Sequence, residues 1–325
     1  MTSSPPSSAS TSRAGRWAPE RLTGSPARAW AVAAGLLRGF LLVSFAPASL
    51  GLALGVRDGA AFAPLRFLAV LVCVWALHAG GNLLNEAYDY RSGADRVNPV
   101  VTPFSGGTRV LVVGALKEPP VRRAGYALLA LGLAGFVPLA VATRLLLFLF
   151  GLIGFAAPIL YSAEPFRLAY RGWGELLLGL TFGPAVVGTG YVAAAGTLTP
   201  GALALGLAMG CLAAAVLTMN EFPDVAADAR VGKRNLIVRW GTARGLLLYD
   251  ALILFGTGVP VVAALAGVLP KTLLATALPF LVAAWIASRG PKNIATLDAT
   301  VASCRRTIQL FLGSWAVMLV AVAAG

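Results

Sequence analysis

Nine apolar runs, near residues 30–56, 62–84, 122–142, 144–161, 173–196, 201–220, 244–266, 270–288 and 306–324, take up most of the chain. Each approaches the roughly 17 to 25 residues that a helix needs to cross the hydrocarbon core of a bilayer. Inside lipid every backbone N–H and C=O must find its partner within the protein, so runs of this length are expected to form helices. The expectation is an all-α, multi-pass membrane helical bundle of about nine helices over residues 28–325. Composition agrees, with 58% of the 325 residues hydrophobic, 12% charged and a mean hydropathy of +0.79. No stretch is left over for a soluble domain.

Residues 1–27 are rich in Ser, Pro, Thr and Arg, and no apolar core follows a short basic start as a cleaved signal requires. A disordered tail is expected; an organelle transit peptide is the alternative. Lys and Arg set the orientation, because they concentrate on the cytoplasmic side of membrane proteins. With nine spans, 21 of the 26 basic residues fall in the tail and the even-numbered loops. The opposite loops hold only Arg57, Arg66, Arg144 and Lys271, and Arg38 lies within the first run. The net charge of +13 reflects this asymmetry and attraction to anionic lipid, so it does not indicate nucleic-acid binding. Cys73, Cys211 and Cys304 show no ligand-like spacing, and the single histidine, His78, sits within a run where a hydrogen-bonded packing role is expected.

The polar residues carry the chemistry. "GNLLNEAYDYRSGAD", residues 81–95, closes the second run, and its "NEAYD" at 85–89 returns as "NEFPD" at 220–224, closing the sixth run on the same side. Two parallel halves are suggested. Asp95 follows the first copy; Asp228 and the basic "RVGKR" at 230–234 follow the second. Asn85 and Asp89 are four apart, as are Asn220, Asp224 and Asp228, so each set shares a helix face and is expected to find partners within itself. A single copy would pass for a solvated helix end. Six of the 13 acids gather in the two copies, however, and like charges clustered at a membrane interface call for a neutralising cation. Carboxylate and amide oxygens suit Mg²⁺, which keeps positions open for phosphate and water. Lys233 and Arg234 supply charge for an anionic, phosphate-bearing substrate.

At these residues the chain resembles the UbiA superfamily of intramembrane prenyltransferases, whose two aspartate-rich motifs are similar to Asn85-Glu86-x-x-Asp89-x5-Asp95 and Asn220-x3-Asp224-x3-Asp228-x4-Lys233-Arg234. "KRNLIVRWG" follows the second motif as in that family. The gap of six from Asp89 to Asp95 and the stretch "YSAEPFRLAYRGWGE" at 161–175 resemble the MenA-like branch, which attaches polyprenyl chains to 1,4-dihydroxy-2-naphthoate. Glu86 stands where aspartate is commoner, and the first run reads Arg38-Gly39-Phe40-Leu41 where Arg-Pro-x-Thr is frequent.

The resemblance implies an Mg²⁺-dependent transferase of quinone biosynthesis, in a bacterial plasma membrane with its site toward the cytoplasm. Asp89, Asp95, Asp224 and Asp228, with Asn85 and Asn220, would hold Mg²⁺ against the diphosphate of a polyprenyl donor. Lys233, Arg234, Arg167, Arg109 and Arg38 would neutralise the remaining charge, Asn82 would contact substrate, and Tyr161 would face the aromatic acceptor. The connection from Asp89 to about Pro120 is long for a compact bundle, and "GTRVLVVGAL" at 107–116 suggests a cytoplasmic cap, an ungated interfacial segment being the alternative. Two other functions stay open at this level. A terpene cyclase would use the same diphosphate site with no acceptor, and a cation-coupled transporter would use the acids as its ion site, although such sites usually lie at the midplane.

Overall fold

The computed structural model describes residues 25–100, 102–104, 107–142, 145–289 and 293–325, without the side chains of 26, 28, 32–40, 142 and 289. Residues 1–24 of the expected tail, the Arg38 side chain, and Ser105 and Gly106 lie outside that description, and the first helix already takes in residues 26 and 27 of that tail.

The chain runs α1 (Pro26–Arg57), α2 (Pro64–Ser92), α3 (Ala94–Val97), α4 (Glu118–Ala142), α5 (Leu146–Ser162), α6 (Gly174–Leu180), α7 (Val186–Ala195), α8 (Pro200–Glu221), α9 (Val225–Arg230), α10 (Leu236–Leu265), α11 (Ala277–Arg289) and α12 (Leu297–Ala323). Among the described residues, seven helical segments are long and apolar enough to cross a membrane, and two shorter apolar ones are Leu41–Arg57 and Leu146–Ser162. The fold is thus an all-α membrane bundle. Large apolar side chains point outward at Leu65, Val141 and Leu265, as a lipid-facing surface requires.

Two details differ from the hydropathy pattern and both build the site. The second apolar run ends near residue 84, but α2 continues to Ser92 because Asn85 to Arg91 contain no helix breaker. It stops at Gly93, whose φ of +88° is a left-handed conformation costly to residues with a Cβ. The sixth run likewise passes from α8 through a 3₁₀ turn, Phe222–Asp224, into α9. Each long helix therefore hands over to a short one, α2 to α3 and α8 to α9, and α3 packs on α9.

Buried clusters divide along the same line. One joins α2, α4, α5 and α7 through Leu77, Leu129, Leu147 and Val192, and takes in Ala48 of α1. A second joins α1, α7, α8, α10 and α12 through Leu50, Tyr191, Met209 and Phe311. α1 and α7 bridge them at very short range: a Cβ on Gly51 would strike the Val187 carbonyl, and one on Gly190 the Ala48 carbonyl. Small residues permit this backbone-to-backbone approach, the usual source of helix attraction in lipid. Pro184 lies within a π-helical turn, Thr181–Ala185, between α6 and α7.

Candidate active site

A cavity of about 360 Å³ opens between the two halves. Along α2 its wall changes from Val74 and Leu77 to Asn82, Asn85 and Asp89, and along α8 and α9 from Ala213 and Val216 to Asn220, Asp224 and Asp228. Both acidic motifs thus converge on one end of a chamber whose other end is apolar. Phe136, Phe150 and Phe182 line the apolar part.

Asp89 is buried and takes three hydrogen bonds: from the Tyr170 hydroxyl at 2.7 Å, Asn85 Nδ2 at 3.2 Å and Lys233 Nζ at 3.1 Å. Asn98 Nδ2 donates to Asp224 Oδ1 at 2.8 Å. Asn235, fully buried, caps α10 by accepting from Val238 N at 2.9 Å, and it donates to Asp228 Oδ2 at 3.0 Å. Asn85 and Asp89 pair within their own set. Asp224 and Asp228 are also reached from outside theirs, by Asn98 and Asn235, the first because α3 packs on α9 and brings Asn98 over Asp224.

Lys233 ties the two motifs together, 3.1 Å from Asp89 and 3.7 Å from Asp228. Its Nζ also lies 5.5 Å from the Tyr170 ring centre. Burial alone would pull its pKa down, but the Asp89 and Asp228 carboxylates outweigh that and hold the ammonium well above the usual lysine range. In contrast, burial together with the nearby Asp89 and Glu86 carboxylates pushes Asp95 up to about 8, Lys233 and Arg109 opposing the rise.

Three expected cation sites depart from the sequence reading. Arg109, Arg167 and Arg234 do not line the cavity, and among the described residues Lys233 is the cation that does. Arg109 donates to the backbone carbonyls of Asp95 at 2.6 Å and Asn98 at 3.2 Å, which fixes the α3 segment from behind. Arg167 lies 4.0 Å above the Tyr170 ring and 3.5 Å from Glu164, and Arg234 is solvent-exposed. Arg109 and Arg167 are drawn to partners on the flank, and Arg234 to solvent, instead of to the chamber.

Other wall residues escaped sequence reasoning. Asn98, Thr102, Phe104 and Thr108 come from the connection after α3, and Tyr161, which was expected, stands opposite on α5. Glu86 does not face the chamber as a free ligand: Thr108 donates to it from its backbone N and its hydroxyl, both at 2.8 Å. That clasp fixes Thr108, which lines the cavity with Thr102, Phe104 and Gly107, while Val110, Leu111 and Leu116 bury against Leu83, Ala87 and Val121. Spacing gives no signal for a partner 22 residues away.

The donor set fits a hard divalent cation. Asp95 Oδ2 and Asn220 Oδ1 are buried on the wall with no hydrogen-bond partner, a costly state unless something else engages them. Among the described residues no three acidic, His or Cys side chains form a ready-made cage. The free oxygens of Asp95 and Asn220 are hard donors of the kind Mg²⁺ takes, and it completes its shell with phosphate and water.

Comparison with known proteins follows the geometry. The UbiA prenyltransferase family model matches residues 44–300. A 1,4-dihydroxy-2-naphthoate octaprenyltransferase of Mycobacterium tuberculosis (strain ATCC 25618 / H37Rv) is 37% identical over 227 residues, 68% of this chain and 70% of that protein. UbiA prenyltransferase domain-containing protein 1 of Homo sapiens is 29% identical over 216 residues, and the match spans only 61% of that protein. A solved UbiA homolog from Archaeoglobus fulgidus bound to DMAPP and Mg²⁺ shares the fold, with a TM-score of 0.62 at 19% identity over 88% of this chain and 99% of that one. The motifs, the bundle and the matched length agree, and the chain belongs to the UbiA prenyltransferase family, as an integral-membrane transferase.

Proposed function

We propose that this enzyme transfers a polyprenyl group from an allylic diphosphate to 1,4-dihydroxy-2-naphthoate or a related ring. The site would face the cytoplasm of a bacterial plasma membrane, and residues 28–325 would form the transferase domain. One observation carries the reading: two acidic motifs, Asn85 to Asp95 and Asn220 to Asp228, meet at the polar end of an apolar chamber, with Lys233 between them. The named naphthoate relative supports the acceptor.

Asp89, Asp95, Asp224 and Asp228, with the oxygens of Asn85 and Asn220, would hold Mg²⁺. When bound, the metal neutralises diphosphate charge and makes it a better leaving group. Lys233 adds a fixed positive charge beside the departing oxygens. The bond from C1 to oxygen breaks with its electron pair leaving on diphosphate, and the electron-rich ring supplies the pair for the new carbon–carbon bond. Loss of the ring carboxylate as CO₂ then restores aromaticity, so no protein nucleophile is consumed. The apolar wall, with Phe136 and Phe150, suits the isoprenoid tail. The stretch clasped by Glu86 serves as the cap that keeps water from the cationic carbon.

The test uses purified full-length protein in detergent with Mg²⁺ and labelled geranylgeranyl diphosphate. Diphosphate release is slow without a ring, because the cation recombines, and 1,4-dihydroxy-2-naphthoate speeds it by holding a nucleophile within about 3 to 3.5 Å of C1. The product is a prenylated 1,4-naphthalenediol lacking the carboxylate, recovered in the lipid extract as the naphthoquinone after oxidation by air. Full-rate release with no acceptor, yielding a cyclic terpene, would overturn the transfer reading and point to a cyclase.

A further inference from the structure

The polar face of α2 does not end at the diphosphate end of the chamber. Asp89, Asn85, Asn82 and His78 all line the cavity, and going back from Asp89 they fall 4, 7 and 11 residues apart, one stripe of the helix. His78 thus lies about 16 Å from Asp89 at 1.5 Å per residue. A half-buried imidazole here stands against Phe182, whose ring centre is 4.7 Å away.

Its protonation follows from hydrogen-bond bookkeeping. Ser44 Oγ lies 3.0 Å from the Leu41 carbonyl and 3.0 Å from His78 Nδ1. The hydroxyl has one proton, and donation back to a carbonyl three residues earlier is its local habit in a helix. With that proton on Leu41 O, Ser44 can only accept from His78, so in the neutral ring Nδ1 carries the hydrogen and Nε2 is an acceptor with no partner among the described residues. The neighbouring hydroxyls cannot satisfy it: Thr181 donates to Leu177 O and Thr189 to Ala185 O, each at 2.7 Å. One turn nearer the metal end, Asn82 Nδ2 is a buried donor with no partner.

We propose that His78 Nε2 accepts a hydrogen bond from a ring hydroxyl of the aromatic acceptor, with Asn82 Nδ2 donating to an oxygen of the same molecule. This deepens the transfer reading and rests on it. The dimension suits the purpose. Between Asp89 and His78 must fit a metal–oxygen bond of about 2 Å, the diphosphate with C1, a near-attack gap of about 3 to 3.5 Å and the ring itself. The far hydroxyl then arrives at the imidazole. Withdrawing hydroxyl proton density toward Nε2 raises the electron density of the ring carbon that attacks C1. The same pair excludes a purely hydrocarbon occupant from this depth, since it would leave a donor and an acceptor unpaired.

The experiment compares wild type with H78N, H78Q and H78F in the acceptor-dependent assay, with thermal unfolding in detergent as the check on folding. Asn keeps the donor to Ser44 but lacks the far acceptor; Gln places an acceptor oxygen near the Nε2 position; Phe keeps the contact with Phe182. For H78N and H78F, kcat/KM for the naphthoate falls about 10- to 100-fold, the cost of stranding a buried hydroxyl, while KM for the allylic diphosphate stays put. H78Q retains most activity. Methylating the hydroxyl lowers wild-type kcat/KM by a similar factor and leaves H78N unchanged. Wild-type rates for H78N, or a methyl ether used as well as the parent ring, overturn the inference alone. A wild type that prenylates no hydroxylated ring overturns the transfer reading and this inference together.

Discussion

Replacing Lys233 with Met tests whether the two motifs form one metal site. The ammonium lies 3.1 Å from Asp89 and 3.7 Å from Asp228. At an effective dielectric near 20 those charges attract by about 5 and about 4.5 kcal/mol, before the several kcal/mol of desolvation are subtracted. Removing one partner of such a buried group leaves the carboxylates uncompensated, at a net cost of about 3–5 kcal/mol. The metal-free K233M protein should therefore unfold at a clearly lower temperature than wild type.

Mg²⁺ changes the comparison, because the carboxylates that lose Lys233 are those proposed to hold the metal. In wild type the cation must compete with the ammonium, and in K233M it does not. Stabilisation by a ligand grows as RT ln(1 + [L]/Kd), so K233M should gain more from Mg²⁺ than wild type does, by an amount that approaches about 1.4 kcal/mol at saturating Mg²⁺ for a tenfold tighter Kd. Turnover should move the other way and fall about a hundredfold or more, since a fixed charge beside the leaving group is gone. A Mg²⁺ titration followed by thermal unfolding, with diphosphate release measured on the same samples, reads both effects. Equal Mg²⁺ gains in the two proteins would refute the idea that Lys233 and the metal share Asp89 and Asp228.

D89N and D224N should each lower diphosphate release about a hundredfold or more while still accumulating as folded protein; near-normal turnover of either at saturating Mg²⁺ would remove it from the metal site. A chelator should abolish activity, with Mg²⁺ or Mn²⁺ restoring it and Zn²⁺ failing to, because the donors are oxygens with no His or Cys among them. For Asp95 the sign is set by a folded-state pKa of about 8 against an ordinary 3.8. The folded state holds this proton more tightly than the unfolded chain, so Asp95 lowers metal-free stability progressively as pH rises from about 3.8 to about 8. Wild type should lose unfolding temperature relative to D95N between pH 6 and pH 9, and Mg²⁺ should shrink the difference; parallel pH profiles would contradict the assignment.

Most of the bundle is legible in the sequence because crossing lipid demands only length and apolarity, which local composition carries in full. The motifs are legible because they occur twice. What escapes is everything set by rotamer direction and distant packing. Arg109, Arg167 and Arg234 have the right charge near the right acids, yet carbonyls, a tyrosine ring and solvent claim them. The contacts of Asp224 with Asn98 and of Asp89 with Lys233 join residues 126 and 144 apart, beyond any spacing rule.

The repeat also conceals an asymmetry that its symmetry would not suggest. Glu86 and Glu221 hold the same place in "NE", yet Glu86 is clasped by Thr108 while Glu221 lines the chamber with its Oε2 buried and without a hydrogen-bond partner among the described residues. The connections explain the difference. After the first motif the chain must travel from Val97 to Glu118, so its acid is recruited to hold that long stretch across the polar end. After the second it needs only a turn at 231–235 before α10 begins, and that turn places Lys233 between the carboxylates and Asn235 beneath Asp228. Duplicated halves thus supply like ligands, and their unlike connections supply a roof from one side and a cation from the other. Exchanging only the connections should therefore damage turnover more than exchanging Asn85 and Asn220 for each other's flanking residues, because the ligands are interchangeable in kind and the connections are not.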